Sequence, residues 1–332
     1  MTVKEDRPRA VRRNAPPGGQ AGVGRGPSRF RRATAKLRRD RSLLLLAIPG
    51  LGVLLLFQYV PLLGNIIAFE NYEPYLGILH SQWTGLANFA VIFDGNPQFL
   101  DALGNTLVIT ALQVVFVFPV PIALALLLNS LLSERVKKLV QSVLYLPHFL
   151  SWVIVVAIFQ EMLGGSGLLN DWLRSHGHAT VSIIGNAGLF KAMITSQVIW
   201  KDTGWATILF LAALAQIDAA LYEAASVDGA GRWRQLWHIT LPGLKSITIL
   251  LFILRLGNIL SVGFEQIILQ QGPVGINASE VLDTYVYHNG ILGGQWGESA
   301  AVGLVKGLVG VALVLAANKV AHLFGEQGVY QS

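Results

Sequence analysis

Lys201 and Asp202 sit side by side in the middle of 190–215, a stretch that is otherwise strongly apolar, with Trp200 and Trp205 close on either side. Arg255 and Asn258 fall within a second apolar stretch, 246–269, with Glu265 and Gln266 towards its end, and Lys306 lies in a third, 299–322. Ionised and amide groups are costly at the depth of hydrocarbon, so such residues pair with one another or face a wet cavity. Two chemistries fit these types. Asp202 with Arg255 and Glu265 with Lys306 would make interhelical ion pairs. Alternatively, Trp200, Lys201, Asp202, Asn258 and Gln266 would line a path for a polyhydroxylated solute such as a sugar. Such a solute needs many hydrogen-bond partners and aromatic faces for its C–H surfaces. His148, beside Pro147 at the start of another apolar run, reads as a structural hydrogen-bonder rather than a proton relay.

Catalytic sets are missing from the sequence. There is no Gly-x4-Gly-Lys-Ser/Thr loop for phosphates, no His-Glu-x-x-His, no Gly-x-Ser-x-Gly and no cysteine. The chain therefore reads as a non-enzyme, with no metal or cofactor of its own, and any energy from ATP must come through a partner.

The setting for the intramembrane polar groups is lipid. Of the 332 residues 53% are hydrophobic and 13% charged, against about a quarter charged in an ordinary soluble domain. A helix crosses a hydrocarbon core of about 30 Å with roughly 20 residues. Six stretches meet that length: 43–68, 103–131, 143–163, 190–215, 246–269 and 299–322. The expected fold is an all-α membrane protein of six transmembrane helices in one domain, 43–323. A basic leader, 1–42, is expected to be disordered and cytoplasmic, with a short tail at 324–332.

Lysine and arginine set the orientation, since they concentrate in cytoplasmic loops. Thirteen of the 25 precede Ser42, and the inter-span segments 132–142 and 216–245 add Arg135, Lys137, Lys138, Arg232, Arg234 and Lys245. Loops 69–102 and 270–298 hold none, and 164–189 holds only Arg174. Both termini are accordingly expected on the cytoplasmic side of a cell membrane. The leader reads as an orientation signal near anionic lipid heads rather than a nucleic-acid arm. The outer loops are too short for a ligand-capturing domain, which must be a separate protein.

One cytoplasmic segment carries more pattern than a connection needs. Residues 217–242 read IDAALYEAASVDGAGRWRQLWHITLP. Ala219 to Ala225 is strong helix-forming sequence, Asp228-Gly229 is a turn, and Ala230 to Thr240 is expected to form a second helix stopped by Pro242. Trp233, Leu236, Trp237 and Thr240 share a face of that second helix, which would rest either in the lipid interface or on a partner.

Glu223-Ala224-Ala225, Gly229, Ile239 and Leu241-Pro242 resemble, position for position, the EAA loop of permeases of ATP-binding-cassette (ABC) importers. The resemblance extends along the chain after the leader. Phe57-Gln58-Tyr59-Val60-Pro61, Trp83-Thr84-Gly85-Leu86-Ala87-Asn88-Phe89 and Asn105-Thr106 are similar to the carbohydrate-uptake (maltose-type) branch. Tyr145-Leu146-Pro147-His148-Phe149-Leu150-Ser151-Trp152 and Asp283-Thr284-Tyr285-Val286-Tyr287 are similar to its oligosaccharide subgroup, including carriers of uronic-acid-containing chains.

The resemblance implies a type I ABC importer permease fold. It also implies a second homologous permease, two ABC ATPase subunits that bind the ATP, and an extracytoplasmic sugar-binding protein. Glu223 would then be an ion-pairing contact to the ATPase, Ala224 and Ala225 would allow close packing, and Asp228 and Gly229 would make the bend. The competing reading is a secondary transporter driven by an ion gradient, which has no use for such a loop.

Overall fold

The computed structural model describes residues 41–323 apart from 132, together with 325 and 328. Nearly all of the expected basic leader and the tail therefore lie outside the described residues. The chain divides into two units, 1–63 and 64–332.

Five helical stretches are long and apolar enough to cross a membrane: Leu45–Phe69, Pro97–Asn129, Trp152–Ser175, Arg232–Gly257 and Trp296–Leu323. Ala187–Leu214 passes the same test only together with Ala219–Val227, from which it is bent by 68°; taken as one, that pair makes a sixth. Counted so, the spans number six, as expected, but the extents of one loop and two spans differ. The expected loop at 132–142 is largely helix, Glu134–Tyr145, started by Ser133, whose hydroxyl accepts from the Val136 amide. The expected span 143–163 is broken at Pro147, where a 3-10 turn, Leu146–Phe149, precedes the helix Trp152–Leu163. The expected span 246–269 starts instead at Arg232 and ends at Gly257; after a break, the short helix Phe264–Ile268 holds Glu265 and Gln266.

Pro242 does not stop a helix, contrary to the expectation from sequence. Proline removes one helical hydrogen bond and its ring crowds the carbonyl four residues back. Here the preceding turn, Leu236–Thr240, widens to π geometry, and the Leu241 amide donates to Leu236. The same device recurs. The π turn Gln113–Val117 precedes Pro119, with the Phe118 amide donating to Gln113 over 3.1 Å. In the first unit the π turn Leu55–Tyr59 precedes Pro61, with the Val60 amide donating to Leu55. At each site the residue before proline takes the carbonyl five positions back, so the helix continues through the proline.

Three apolar seams hold the second unit together. One joins Ile109, Phe190, Met193, Ile194, Val262, Ile267 and Val281. Another joins Phe99, Ala102, Leu282, Tyr285 and Val302, with the Phe99 and Tyr285 rings edge to face at 5.8 Å. The third, of Ala125, Phe210, Leu214 and Leu244, lies next to the bent segment. A two-stranded hairpin, Glu70–Asn71 with Gln82–Trp83, interrupts the loop after the first span. Asn88 fastens it by donating to the carbonyls of Ala68 and Glu70.

Helix Ala187–Leu214 meets the end of Glu134–Tyr145 at Gly204, where a Cβ atom would stand 1.9 Å from the Leu144 carbonyl oxygen. Only a residue without a side chain allows that contact. Gly204→Ala is expected to lower the thermal unfolding midpoint in detergent by roughly 3–10 °C through overpacking. Gly104→Ala, with open space around the site, is the control and is expected to cost nothing; equal behaviour of the two variants would refute the close approach.

Candidate functional site

The segment 217–242 is built from its own side chains. Asp218 caps the helix Ala219–Val227, its carboxylate accepting from the Ala220 amide over 2.9 Å. The C-terminus closes in a Schellman motif: the Ala230 amide donates to the Ala225 carbonyl over 2.8 Å and the Gly229 amide to Ser226 over 3.1 Å. That motif needs a left-handed residue at its turn, and Gly229 supplies it with φ +76°. Asp228 is the last residue before the turn, its amide still bonded to Ala224.

The chain then reverses into helix Arg232–Gly257, and side chains clamp the two arms. The Tyr222 hydroxyl bonds the Thr240 hydroxyl at 3.0 Å, and Thr240 is buried. The Gln235 amide donates to the Ser226 hydroxyl over 2.9 Å and to the Ala230 carbonyl over 3.1 Å. These bonds leave the bend little freedom to open.

Its outer surface has no partner within the described residues. Glu223 and Ala224 are exposed, and Glu223 makes no hydrogen bond or ion pair there. Val227 is 89% exposed, Leu221 is exposed, and Trp233 and Trp237 stand out together with rings at 6.0 Å. A carboxylate set among uncovered apolar side chains is a surface suited to docking. Behind it, a cavity of about 720 Å³ opens between Ile217, Leu221, Ile239, Pro242 and Ile247. Sequence reasoning found the exposed Trp233 and Trp237 but missed the Tyr222–Thr240 clamp. Its signal was a tyrosine and a threonine eighteen residues apart, which only the reversal of the chain brings together.

The second set of residues lies in the spans. Asp202 bonds His148, Oδ1 to Nδ1, at 3.0 Å, and the His148 ring lies flat on Trp205 with centroids 4.8 Å apart. Lys201 is buried and donates to the His148 carbonyl over 2.7 Å, with its ammonium 5.5 Å from the centre of the Trp152 ring. Trp200 packs edge to face on Phe159. The structure therefore brings Lys201 and Asp202 together around His148, with Trp205 stacked on its ring.

Asn258 and Gln266 are not part of that group. Asn258 ends helix Arg232–Gly257, its amide bonded to the Arg255 carbonyl. Gln266 is fully buried in a network of three glutamines, donating to the Ile194 carbonyl and to Gln197, which itself bonds Gln270. The two ion pairs expected from sequence are also replaced. Asp202 takes His148 rather than Arg255, and Arg255 donates to Gln113. Lys306 pairs with Asp283 rather than Glu265. The break after Gly257 explains the second correction, since it puts Glu265 on a separate short helix. Gln197, one polar residue in an apolar span, was the signal for the glutamine network.

The chain is similar to known proteins over most of its length. The family model described as "Binding-protein-dependent transport system inner membrane component" matches residues 117–326. The polygalacturonan/rhamnogalacturonan transport system permease protein YteP of Bacillus subtilis (strain 168) is 46% identical over 301 residues, covering 90% of this chain and 94% of that one. The arabinooligosaccharides transport system permease protein AraP of the same organism is 29% identical over 282 residues, 84% of this chain and 87% of that one. Among solved structures, a chain of a bacterial alginate ABC transporter, in complex with an alginate pentasaccharide-bound periplasmic protein, superposes with a TM-score of 0.80. It is 35% identical and the match covers 89% of this chain and 99% of that chain.

The bend at Gly229 can be tested by itself. A β-branched residue at that φ costs on the order of 1–2 kcal/mol, so Gly229→Val is expected to speed tryptic cleavage at Arg232 and Arg234 roughly tenfold. Gly229→Asn is expected to restore most of the protection, because asparagine tolerates the left-handed region. Equal cleavage rates in all three proteins would refute the motif.

Proposed function

Because the chain belongs to the family of binding-protein-dependent transport inner membrane components, we propose that its bent 217–242 segment is the element on which a partner ATPase acts. The chain is a multi-pass permease component of an ABC transport system, not an enzyme, and ATP is bound by the partner ATPase. Membership in this family sets aside the ion-gradient-driven alternative.

The observation that carries the reading is the clamped hairpin: a stiff, bent pair of helices whose exposed face presents Glu223, Ala224 and Val227. Glu223 meets a basic group of the ATPase, Ala224 and Ala225 permit close approach, and Asp228 and Gly229 hold the bend. Closure of the ATPase pair on ATP pushes the hairpin. The Tyr222–Thr240 and Ser226–Gln235 bonds carry that push into helix Arg232–Gly257, which is continuous with the second arm, and the spans turn to admit cargo from outside. The assembly comprises this chain, a homologous second permease, two ATPase subunits and an extracytoplasmic binding protein. Both termini face the cytoplasm, in keeping with the lysine and arginine distribution.

The cargo is an oligosaccharide, of a kind that includes uronic-acid-bearing chains. Support comes from the relatives' polygalacturonan, arabino-oligosaccharide and alginate systems and from the ring-lined group of Trp200, Lys201, Asp202, His148 and Trp205. In this reading that group borders the pathway. Asn258 lies exposed at a helix end, open to the same role, while Gln266 holds helices together.

Two experiments test the proposal. Glu223→Lys is expected to reduce co-purification with the cognate ATPase and binding-protein-stimulated ATP hydrolysis at least about tenfold, as loss of a buried ion pair costs several kcal/mol; unchanged assembly and hydrolysis would sink it. The chain has no native cysteine, so single cysteines report sidedness directly. With the chain expressed without its ATPase, Val227→Cys is expected to react with a membrane-impermeant maleimide only in inside-out vesicles, and Leu79→Cys only in right-side-out ones; the reverse pattern would overturn the orientation.

A further inference from the structure

We propose that Arg255 reads a carboxylate of the cargo, an inference that rests on the oligosaccharide reading above and narrows it to acidic chains. The argument starts from a charge imbalance. Arg255 and Lys201 are two cations at span depth, and their hydrogen bonds go to neutral acceptors: Arg255 to the Gln113 side chain, Lys201 to the His148 carbonyl. The one carboxylate beside them, Asp202, is bonded to His148. Asp202 lies on the same cavity as Arg255 and attracts it, so with Lys201, adjacent to Asp202 in sequence, the group among the described residues holds two cations to one carboxylate. In hydrocarbon that excess is strongly unfavourable unless the site is wet or an anion visits it.

The surroundings favour an anion. Arg255, Asp202 and Thr203 line one cavity of about 200 Å³, walled otherwise by apolar groups such as Val117, Phe118 and Leu251. That volume exceeds the roughly 30 Å³ share of one water several times over. The Thr203 hydroxyl is buried there without a hydrogen-bond partner among the described residues, although its backbone carbonyl accepts from Thr207. A buried orphan hydroxyl calls for a ligand or water.

Gln113 is itself buried and fixed, its amide donating to the Val262 carbonyl over 3.2 Å. Its acceptor oxygen therefore orients the guanidinium and leaves further N–H groups available. A planar fork held in this way matches the two oxygens of a carboxylate and discriminates against a hydroxyl, which offers one. Asp202, on the same cavity, tempers the attraction, so that an acidic sugar is held weakly enough to move on.

The test measures uptake of a short oligogalacturonate into proteoliposomes containing the whole assembly and its binding protein. Relative to wild type, Arg255→Gln is expected to raise KM at least about tenfold, the scale of a charge-assisted bond. Arg255→Lys, which keeps the charge but not the fork, is expected to fall between the two. Thr203→Val, which removes the orphan hydroxyl and leaves every charge, is expected to raise KM two- to threefold. It decides the matter if Arg255→Gln fails to co-purify with the ATPase.

A wild-type KM in Arg255→Gln, or in Thr203→Val where only that variant assembles, overturns the inference, as does Arg255→Lys behaving as badly as Arg255→Gln. A wild-type assembly that imports neutral oligosaccharides but no oligogalacturonate overturns it while sparing the broader cargo reading. An assembly that imports no oligosaccharide of either kind overturns both.

Discussion

Every polar group that enters hydrocarbon must find its partner inside the protein, and most of this structure follows from that requirement. The backbone meets it at prolines by widening one turn. Pro61, Pro119 and Pro242 each follow a π turn in which the preceding residue bonds the carbonyl five positions back. The spans thus keep prolines that would break helices in water, where solvent could satisfy the freed carbonyls anyway. Side chains meet it by forming closed groups: Gln197 with Gln266 and Gln270, Arg255 with Gln113, and Asp202 with His148.

Those groups differ in how completely they close. The glutamine network bonds mainly within itself and to backbone carbonyls, leaving the Gln266 side-chain oxygen without a partner among the described residues, and it ties helix Ala187–Leu214 to the short helices after Gly257. In the group around Arg255 each charged side chain is hydrogen-bonded, but two cations stand against one carboxylate. It also keeps a cavity and an unbonded hydroxyl. A protein that only needed helices held together would gain by replacing such a group with apolar side chains.

At the other end of the spans the requirement is mechanical. In the coupling role proposed for it, the 217–242 segment must not absorb force by bending. The Schellman turn at Gly229 fixes the angle between the arms, and the Tyr222–Thr240 and Ser226–Gln235 bonds prevent their separation. Because the π turn carries the helix through Pro242, the second arm and the following span are one rod. A helix that stopped at Pro242 would have put a hinge between them.

The sequence determined what depends on local composition and spacing. The apolar stretches, the turn at Asp228-Gly229 and a helix over Ala219 to Ala225 were legible, because hydrophobic length, glycine and helix propensity act within a few residues. The resemblance of the EAA loop was legible for the same reason, since its positions lie within 20 residues of one another. Tertiary structure alone decided which polar residues meet. Asp202 and His148 are 54 residues apart, Arg255 and Gln113 are 142 apart, and Lys306 chose Asp283 over Glu265. Charge type allows several partners for each of these groups. Only the crossing of the helices, including the backbone contact at Gly204, sets which of them lie within a hydrogen bond's reach.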